Sequence, residues 1–270
     1  MLIDTHCHLN MMVKQKFDAP LTEKDLSAIK EILKVAATQQ VNQIVNVGTS
    51  LVESQNCLMI AKKYPAVFAT VGIHPNDCTS TWRKDVATIA KWVREKKENK
   101  IVGIGECGID RHYEGHNLPR QYDAFKAQVD LAMENDLALV IHSRDAYDET
   151  LKILDTYKDD LQRVVMHCFS YDWPFAQTVI AWNFALGIGG TITYPKNEEL
   201  RTIVSQVDLR HIVLETDAPF LPPQAIRGQQ NHPQNIKEIA TFIANLRNQE
   251  FDVIAKETTK TAQALFKINN

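Results

Sequence analysis

Eight times along a chain of 270 residues, a short β-branched-rich apolar run gives way to a longer amphipathic one. Few folds accommodate that alternation. The short runs are Leu2–Thr5, Gln43–Gly48, Val67–Ile73, Ile101–Gly105, Leu137–Ile141, Arg163–Met166, Phe184–Ile188 and Ile212–Leu214. Most are apolar on consecutive positions, the pattern of parallel strands buried on both faces. Helical patterns follow at Asp25–Ala37, Val52–Lys63, Trp82–Lys97, Arg120–Asn135, Ala146–Tyr157, Trp173–Ala181 and Glu198–Val204, with two more at Ile236–Leu246 and Asp252–Phe266. Thr22, with Asp25 three residues on, is a predicted helix N-cap. The series predicts a (β/α)8 TIM barrel, α/β in class, as one domain over residues 1–270. A doubly wound open sheet is the rival arrangement. The barrel carries the sharper expectation, because its chemistry collects at the carboxyl ends of the strands.

Those ends are where the unusual residues fall. Strand one closes on His6 and His8, strand three on His74, strand four on Glu106 and Asp110, strand five on His142 and Arg144, strand six on His167, and strand eight on Glu215 and Asp217. In a strand, residues i and i+2 share a face, so His6 and His8 are expected to point together into the barrel mouth. A lone strand-end histidine is more often hydrogen-bonded structure than a ligand. The set of His6, His8, Glu106, His142, His167 and Asp217 converges only in a barrel. Six nitrogen and oxygen donors exceed what one tetrahedral ion takes, and they suit two divalent ions bridged by a carboxylate and a water. Imidazole favours zinc, while the carboxylates also admit manganese or magnesium.

Composition narrows the remaining classes. Net charge is -3, with a sequence pI of about 6.3, so any nucleic-acid contact is expected to be local, without a broad basic surface. Asp4 and His6 interrupt the apolar start, which argues against a leader peptide, and no apolar run is long enough to span a bilayer. The five cysteines (Cys7, Cys57, Cys78, Cys107 and Cys168) are odd in number and form no C-x-x-C pair. They are expected to be reduced thiols in a cytoplasmic protein. Three of them, Cys7, Cys107 and Cys168, flank proposed ligands and are expected to be packing residues. A monomer is expected.

At these same residues the chain resembles the TatD family of metal-dependent deoxyribonucleases, within the amidohydrolase-like hydrolases. The matching stretches are D-T-H-C-H-L at 4–9, V-G-I-H-P at 71–75, I-G-E-C-G-I-D at 104–110, I-H-S-R at 141–144, H-C-F-S at 167–170, L-E-T-D-A-P-F-L at 214–221 and R-G-Q-Q-N-H-P at 227–233. They run in the family's order across nearly the whole chain. The resemblance implies a barrel with one to three divalent ions and activity generally linked to magnesium or manganese, though zinc is possible. Glu106 would bridge two ions, His6, His8 and Asp217 would hold one, and His142 and His167 the other. His74 is similar to a family histidine in the substrate cleft, where it would meet phosphate or a further ion. Three departures bear on substrate. Gln229 and Gln230 stand where the family commonly has a basic pair, with His232 in place of an acid. Tyr171 replaces a glycine after H-C-F-S. The loop after strand four adds His112 and His116.

Two ions roughly 4 Å apart are the usual clamp for phosphodiester cleavage, one activating a water and the other neutralising charge at phosphate. Asp217 and Glu106 are the candidate catalytic residues, Asp217 by orienting the nucleophile or taking its proton. Glu215 shares a face with Asp217 and is expected to accept an N–H from a ligating histidine. Arg144, Lys196 and Arg227 are candidate phosphate contacts beside His74. Tyr113, Phe169, Tyr171 and Phe220 are candidate platforms for a splayed base. The expected function is a metal-dependent deoxyribonuclease, 3′ to 5′ on single-stranded DNA ends. The alternative is a hydrolase of a small-molecule ester, lactone, amide or phosphoester on the same site, since fold and metal do not set substrate. A non-enzymatic binder with a structural metal fits poorly, because structural sites close their coordination.

Overall fold

The computed structural model describes residues 1–14, 16–115 and 117–269. Eight strands form one all-parallel sheet in sequential order: β1 (Leu2–Cys7), β2 (Val41–Val47), β3 (Val67–Val71), β4 (Ile101–Asp110), β5 (Ala138–Arg144), β6 (Val164–Met166), β7 (Ala185–Ile188) and β8 (Ile212–Leu214). The helices among the described residues are α1 (Leu9–Val13), α2 (Glu23–Thr38), α3 (Leu51–Lys63), α4 (Trp82–Val93), α5 (Leu118–Glu134), α6 (Tyr147–Tyr157), α7 (Trp173–Ala181), α8 (Glu198–Gln206), α9 (Ile236–Arg247) and α10 (Phe251–Phe266). This is the (β/α)8 barrel that the alternation predicts. The open-sheet rival fails because β1 and β8, the two sheet ends, come together.

The strands are buried on both faces for different reasons. One side chain of a neighbouring pair packs outward under the helices, as Leu2, Ile44, Leu139, Val164 and Ile212 do. The next points into the barrel, as Ile3, Val45, Val140, Val165 and Val213 do. The interior set is mostly β-branched, the shape that fills such a barrel in layers. Its lower end is closed by the last turns of α10, through Ala262, Leu265 and Phe266, and by Ile268 just beyond the helix.

Side-chain caps aim several helices at the loops. Thr22 and Asp25 form the predicted reciprocal capping box of α2, Ser50 caps α3 by accepting from Glu53 N, and Asp172 caps α7 by accepting from Phe175 N. Two boundaries differ from the sequence reading. The chain inserts α1 directly behind β1, a segment of one turn too short to show a period. It also carries β4 five residues past Gly105. Glycine reads as a strand terminator, but Gly105 and Gly108 take φ of +134° and +146° and let the strand continue to Asp110.

Closure between β8 and β1 rests largely on one buried carboxylate. Asp4 Oδ2 accepts from Thr216 Oγ1 at 2.6 Å, and Asp4 Oδ1 accepts from Thr216 N at 3.0 Å. Thr5 Oγ1 donates to Leu214 O, His8 N to Ala218 O and Asp217 N to His6 O, which completes the seam. Asp4→Ala strands two buried donors on Thr216 and is expected to cost about 3 kcal/mol. Urea unfolding at constant m-value checks this, and an unchanged midpoint would remove Asp4 from the seam's energetics.

Candidate active site

Five of the six proposed ligands line one cavity of about 300 Å³ at the carboxyl end of the barrel, and the sixth, His6, is buried behind them against Glu106 and Asp217. His6 and His8 leave the end of β1, where its register against β2 slips between Asp4 and Cys7. Their Nε2 atoms stand 3.2 Å apart. His8 Nδ1 lies 2.9 Å from Val47 O, which makes Nδ1 the protonated nitrogen and leaves Nε2 free to ligate.

Glu106 is the centre of the arrangement. Its Oε2 faces His6 Nε2 at 3.3 Å and His8 Nε2 at 3.8 Å. Its Oε1 faces His142 Nδ1 at 2.8 Å, His74 Nε2 at 3.6 Å and His167 Nε2 at 3.7 Å. One oxygen therefore serves each histidine group. Asp217 Oδ1 stands 3.3 Å from His8 Nε2, 3.7 Å from His6 Nε2 and 3.9 Å from His167 Nε2. Asp217 and Cys168 are non-glycine residues at φ of +56° and +46°. Local strain of about 1 kcal/mol or more is held at the turns that place Asp217 and His167.

Supporting contacts sit behind the ligands. His167 Nδ1 is 2.9 Å from Glu215 Oε1, and the same oxygen accepts from Cys168 N. Glu215 therefore stands behind His167 as an ion-pair partner. Its carboxylate can lie there because Gly187 has no side chain: a Cβ would come within 2.2 Å of Glu215 Oε2. His142 spans two acids, with Nε2 at 2.9 Å from Asp110 Oδ2. Asp110, the second strand-end acid of β4, thus stands directly against the histidine cluster. It is also fixed by Asn76 Nδ2 at 3.0 Å.

The electrostatics follow the crowding. Burial works against the Glu106 carboxylate, but His167, His74, His142 and His6 outweigh it and hold its pKa well below the usual range. Asp217 is lowered in the same way by His8, His167 and His6. Burial likewise opposes the His167 cation, yet Glu215, Glu106 and Asp217 push it up to about 10. His8 and His142 are also raised against burial, by Asp217 and by Asp110 and Glu106 respectively. Burial and the neighbouring His142 drive His74 down to about 3. The cavity lining sets Asp77, Glu106, Asp110 and Asp217 against a single Arg144. With the ligating histidines deprotonated, as ion binding requires, a phosphodiester would meet net negative charge there unless cations intervene. Five imidazoles and three carboxylates held within reach of one another fit divalent ions: His6, His8 and Glu106 form one candidate triad, and Glu106, His142 and His167 another.

A proton balance follows. His167 lends the metal-free fold stability that is full below pH 6.5 and is lost as pH rises through about 10. An ion must displace this proton and those of His8 and His142. Metal affinity is therefore expected to rise with pH until about pH 10, where His167 loses its proton unaided, with proton release below that. Calorimetry in buffers of different ionisation enthalpy measures it; binding without net proton release would contradict the arrangement.

Of the other candidates, His74 and Arg144 line the cavity, whereas Lys196 and Arg227 do not. The Arg227 guanidinium lies 4.7 Å from the centre of the Tyr194 ring. Tyr113 and Phe220 line the mouth. Phe169 is buried, and Tyr171 stacks on Phe175 while its hydroxyl meets Ser143 Oγ, so both are core aromatics. His112 pairs with Asp145 at the surface, and His116 lies outside the described residues. Cys7 and Cys107 are buried thiols whose pKa burial pushes up, as packing residues require. Residues missed by the sequence reading are Phe17, which carries no periodic signal, and Asn231. Asn231 Nδ2 donates to Thr216 O and Phe220 O, both at 2.8 Å, and so holds the loop that carries Asp217.

An eight-stranded parallel barrel with histidines and carboxylates gathered at its carboxyl ends defines a metal-dependent hydrolase. The chain belongs to the family described as TatD related DNase, matched over residues 3–267. It is 32% identical over 270 residues to the Bacillus subtilis protein YabD, named as an uncharacterized metal-dependent hydrolase, with 100% of both chains covered. It is 30% identical over 244 residues to a protein of Erwinia tasmaniensis named 3'-5' ssDNA/RNA exonuclease TatD, covering 88% of this chain and 93% of that one. The crystal structure of the Escherichia coli TatD homologue YjjV superposes with a TM-score of 0.89 at 27% identity, covering 99% and 98% of the two chains. No helix among the described residues is long and apolar enough to cross a membrane.

Proposed function

We propose that this chain is a metal-dependent exonuclease that removes nucleotides from single-stranded nucleic-acid ends, 3′ to 5′, using two divalent ions. The observation that carries the reading is Glu106, whose two oxygens face two separate histidine groups. The E. tasmaniensis relative's name supports the substrate class. His6, His8 and Asp217 would hold one ion, His142 and His167 the other, with Glu106 between them. When bound, such ions neutralise phosphate charge and acidify a water. The chain's own groups do the rest. Asp217, ionised and at the mouth side of the cluster, orients the attacking water and accepts its proton. Glu215 holds the His167 ring in place through Nδ1, and Asp110 does the same for His142 through Nε2. Arg144 is placed to meet a phosphate oxygen entering the mouth, with neutral His74 beside it as a donor.

The test is cleavage of an end-labelled single-stranded oligonucleotide with magnesium, manganese or EDTA, beside the Glu106→Ala, Asp217→Ala double variant. A ladder that needs metal and vanishes in the variant supports the reading. No cleavage by folded, metal-loaded protein overturns it. The single Arg144 in the lining favours one alternative, a small-molecule ester, lactone or amide substrate. Salt separates the two, because phosphate contacts weaken steeply with added salt and neutral substrates do not.

A further inference from the structure

Among the described residues, three aromatic side chains are largely exposed: Phe17 at 63%, Tyr113 at 56% and Phe220 at 42%. All three line the cavity above the histidine cluster. They come from three separate loops, after β1, β4 and β8. Exposed rings scattered singly need no explanation, but every exposed ring converging on one cavity does.

The backbone that carries each ring is held at or beside it by buried or paired groups. The backbone of the Phe17 loop is fixed at Asp18, whose N donates to Glu53 Oε1 at 2.8 Å, and Lys14 pairs with the same buried carboxylate. Phe220 is held through its O by Asn231 Nδ2 and through its N by Asp217 O, each at 2.8 Å, and its ring stands 6.0 Å from that of His8. The Arg144 guanidinium lies 5.7 Å from the centre of the Tyr113 ring, and the preceding His112 N donates to Asp110 Oδ1 at 2.8 Å. Phe220 is thus tied directly to Asp217 and His8, Tyr113 through its neighbour to Asp110 beside His142, and Phe17 to the separate buried carboxylate of Glu53. Cations are scarce at this mouth, and Asn76, one of its few amide side chains, is already engaged by Asp110. Such a surface offers flat apolar faces and little to read a base edge with.

Resting on the nuclease reading, we propose that Phe17, Tyr113 and Phe220 form a stacking clamp that grips the terminal bases of a single-stranded end without reading their identity. Every base has a π-face, so stacking tolerates sequence, and a base paired within a duplex cannot splay onto separate rings.

The experiment uses the magnesium- or manganese-loaded protein and two single-stranded oligonucleotides of equal length, one normal and one with abasic residues at its last two 3′ positions. The wild type is expected to prefer the normal end by about 10-fold or more in kcat/KM, mainly through KM. Phe17→Ala and Phe220→Ala should each narrow that ratio, and Tyr113→Ala likewise, while Tyr113→Phe and Phe220→Trp retain it. Equal cleavage of both ends by the wild type, or a full preference in all three alanine variants, overturns the clamp and leaves the nuclease reading standing. Failure of the wild type to cleave either oligonucleotide overturns both.

Discussion

Glu106→Ala is expected to abolish metal-dependent cleavage, with a loss of at least about 10³-fold in kcat/KM, and to lower the bound-metal content of the purified protein. The size of the effect follows from position. The carboxylate belongs to two of the four candidate triads among the described residues, one with His6 and His8 and one with His142 and His167, so its removal weakens both histidine groups at once, whereas loss of His142 leaves the His6–His8 group intact. It also removes an anion that stabilises the buried His167 cation, so the metal-free variant should bind fewer protons at neutral pH than the parent. Glu106→Gln separates charge from shape: the amide keeps the volume and loses the anion, and it should behave nearly as alanine does in metal content. Elemental analysis together with the end-labelled cleavage assay reads both. A Glu106→Ala protein with undiminished metal and activity would falsify the bridging role.

The second large effect is on the fold. Gly108 pairs with His142 in the β4–β5 ladder, at φ of +146°. A Cβ there would lie 1.9 Å from His142 O, a contact no side-chain adjustment relieves because both partners are backbone. Gly108→Ala is expected to destabilise the protein by about 4 kcal/mol or more, by forcing β5 away from β4, and to displace the His142 ring with it. Gly228→Ala is the control. It has φ of +90° but open space around a new Cβ, so it should cost only about 1 kcal/mol. Equal midpoints for the two variants in denaturant would refute the steric argument.

The barrel was legible because its strands advertise themselves. Val164–Met166 or Ile212–Leu214 is too short to be a helix and too apolar to be a loop, and eight such runs in order admit few topologies. The convergence of the candidate ligands was legible for a related reason: histidine after an apolar strand is unusual, and the barrel brings a scattered list together. What stayed hidden depends on loops and on absent side chains. Lys196 and Arg227 look like phosphate contacts by position after their strands, yet the path of those loops carries them away from the cavity, and a loop's path is not periodic. Asp110 is legible as a strand-end acid, but the extent of its strand is not, because Gly105 reads as an end and serves as a continuation. Gly187 marks nothing by itself. Its purpose appears only when Glu215, 28 residues away in the chain, is seen occupying the space it leaves. Phe17 belongs to no element among those predicted, and only its exposure beside the cluster distinguishes it.

The stopper at the base of the barrel bears on how the chain is made. The interior layer that begins with Ile3 is completed by Leu265, Phe266 and Ile268, and Thr259 Oγ1 bonds Met1 O. During synthesis the first strand therefore waits for almost the last helix before its inner face is covered. Half-made chains must keep an apolar trough open to solvent and to one another, with the non-local pairings that make folding slow and aggregation competitive. The metal residues belong to the same late event, because His6 reaches Asp217 only once the seam has closed. An ion supplied early finds scattered histidines; one supplied after release of the chain finds the whole cluster.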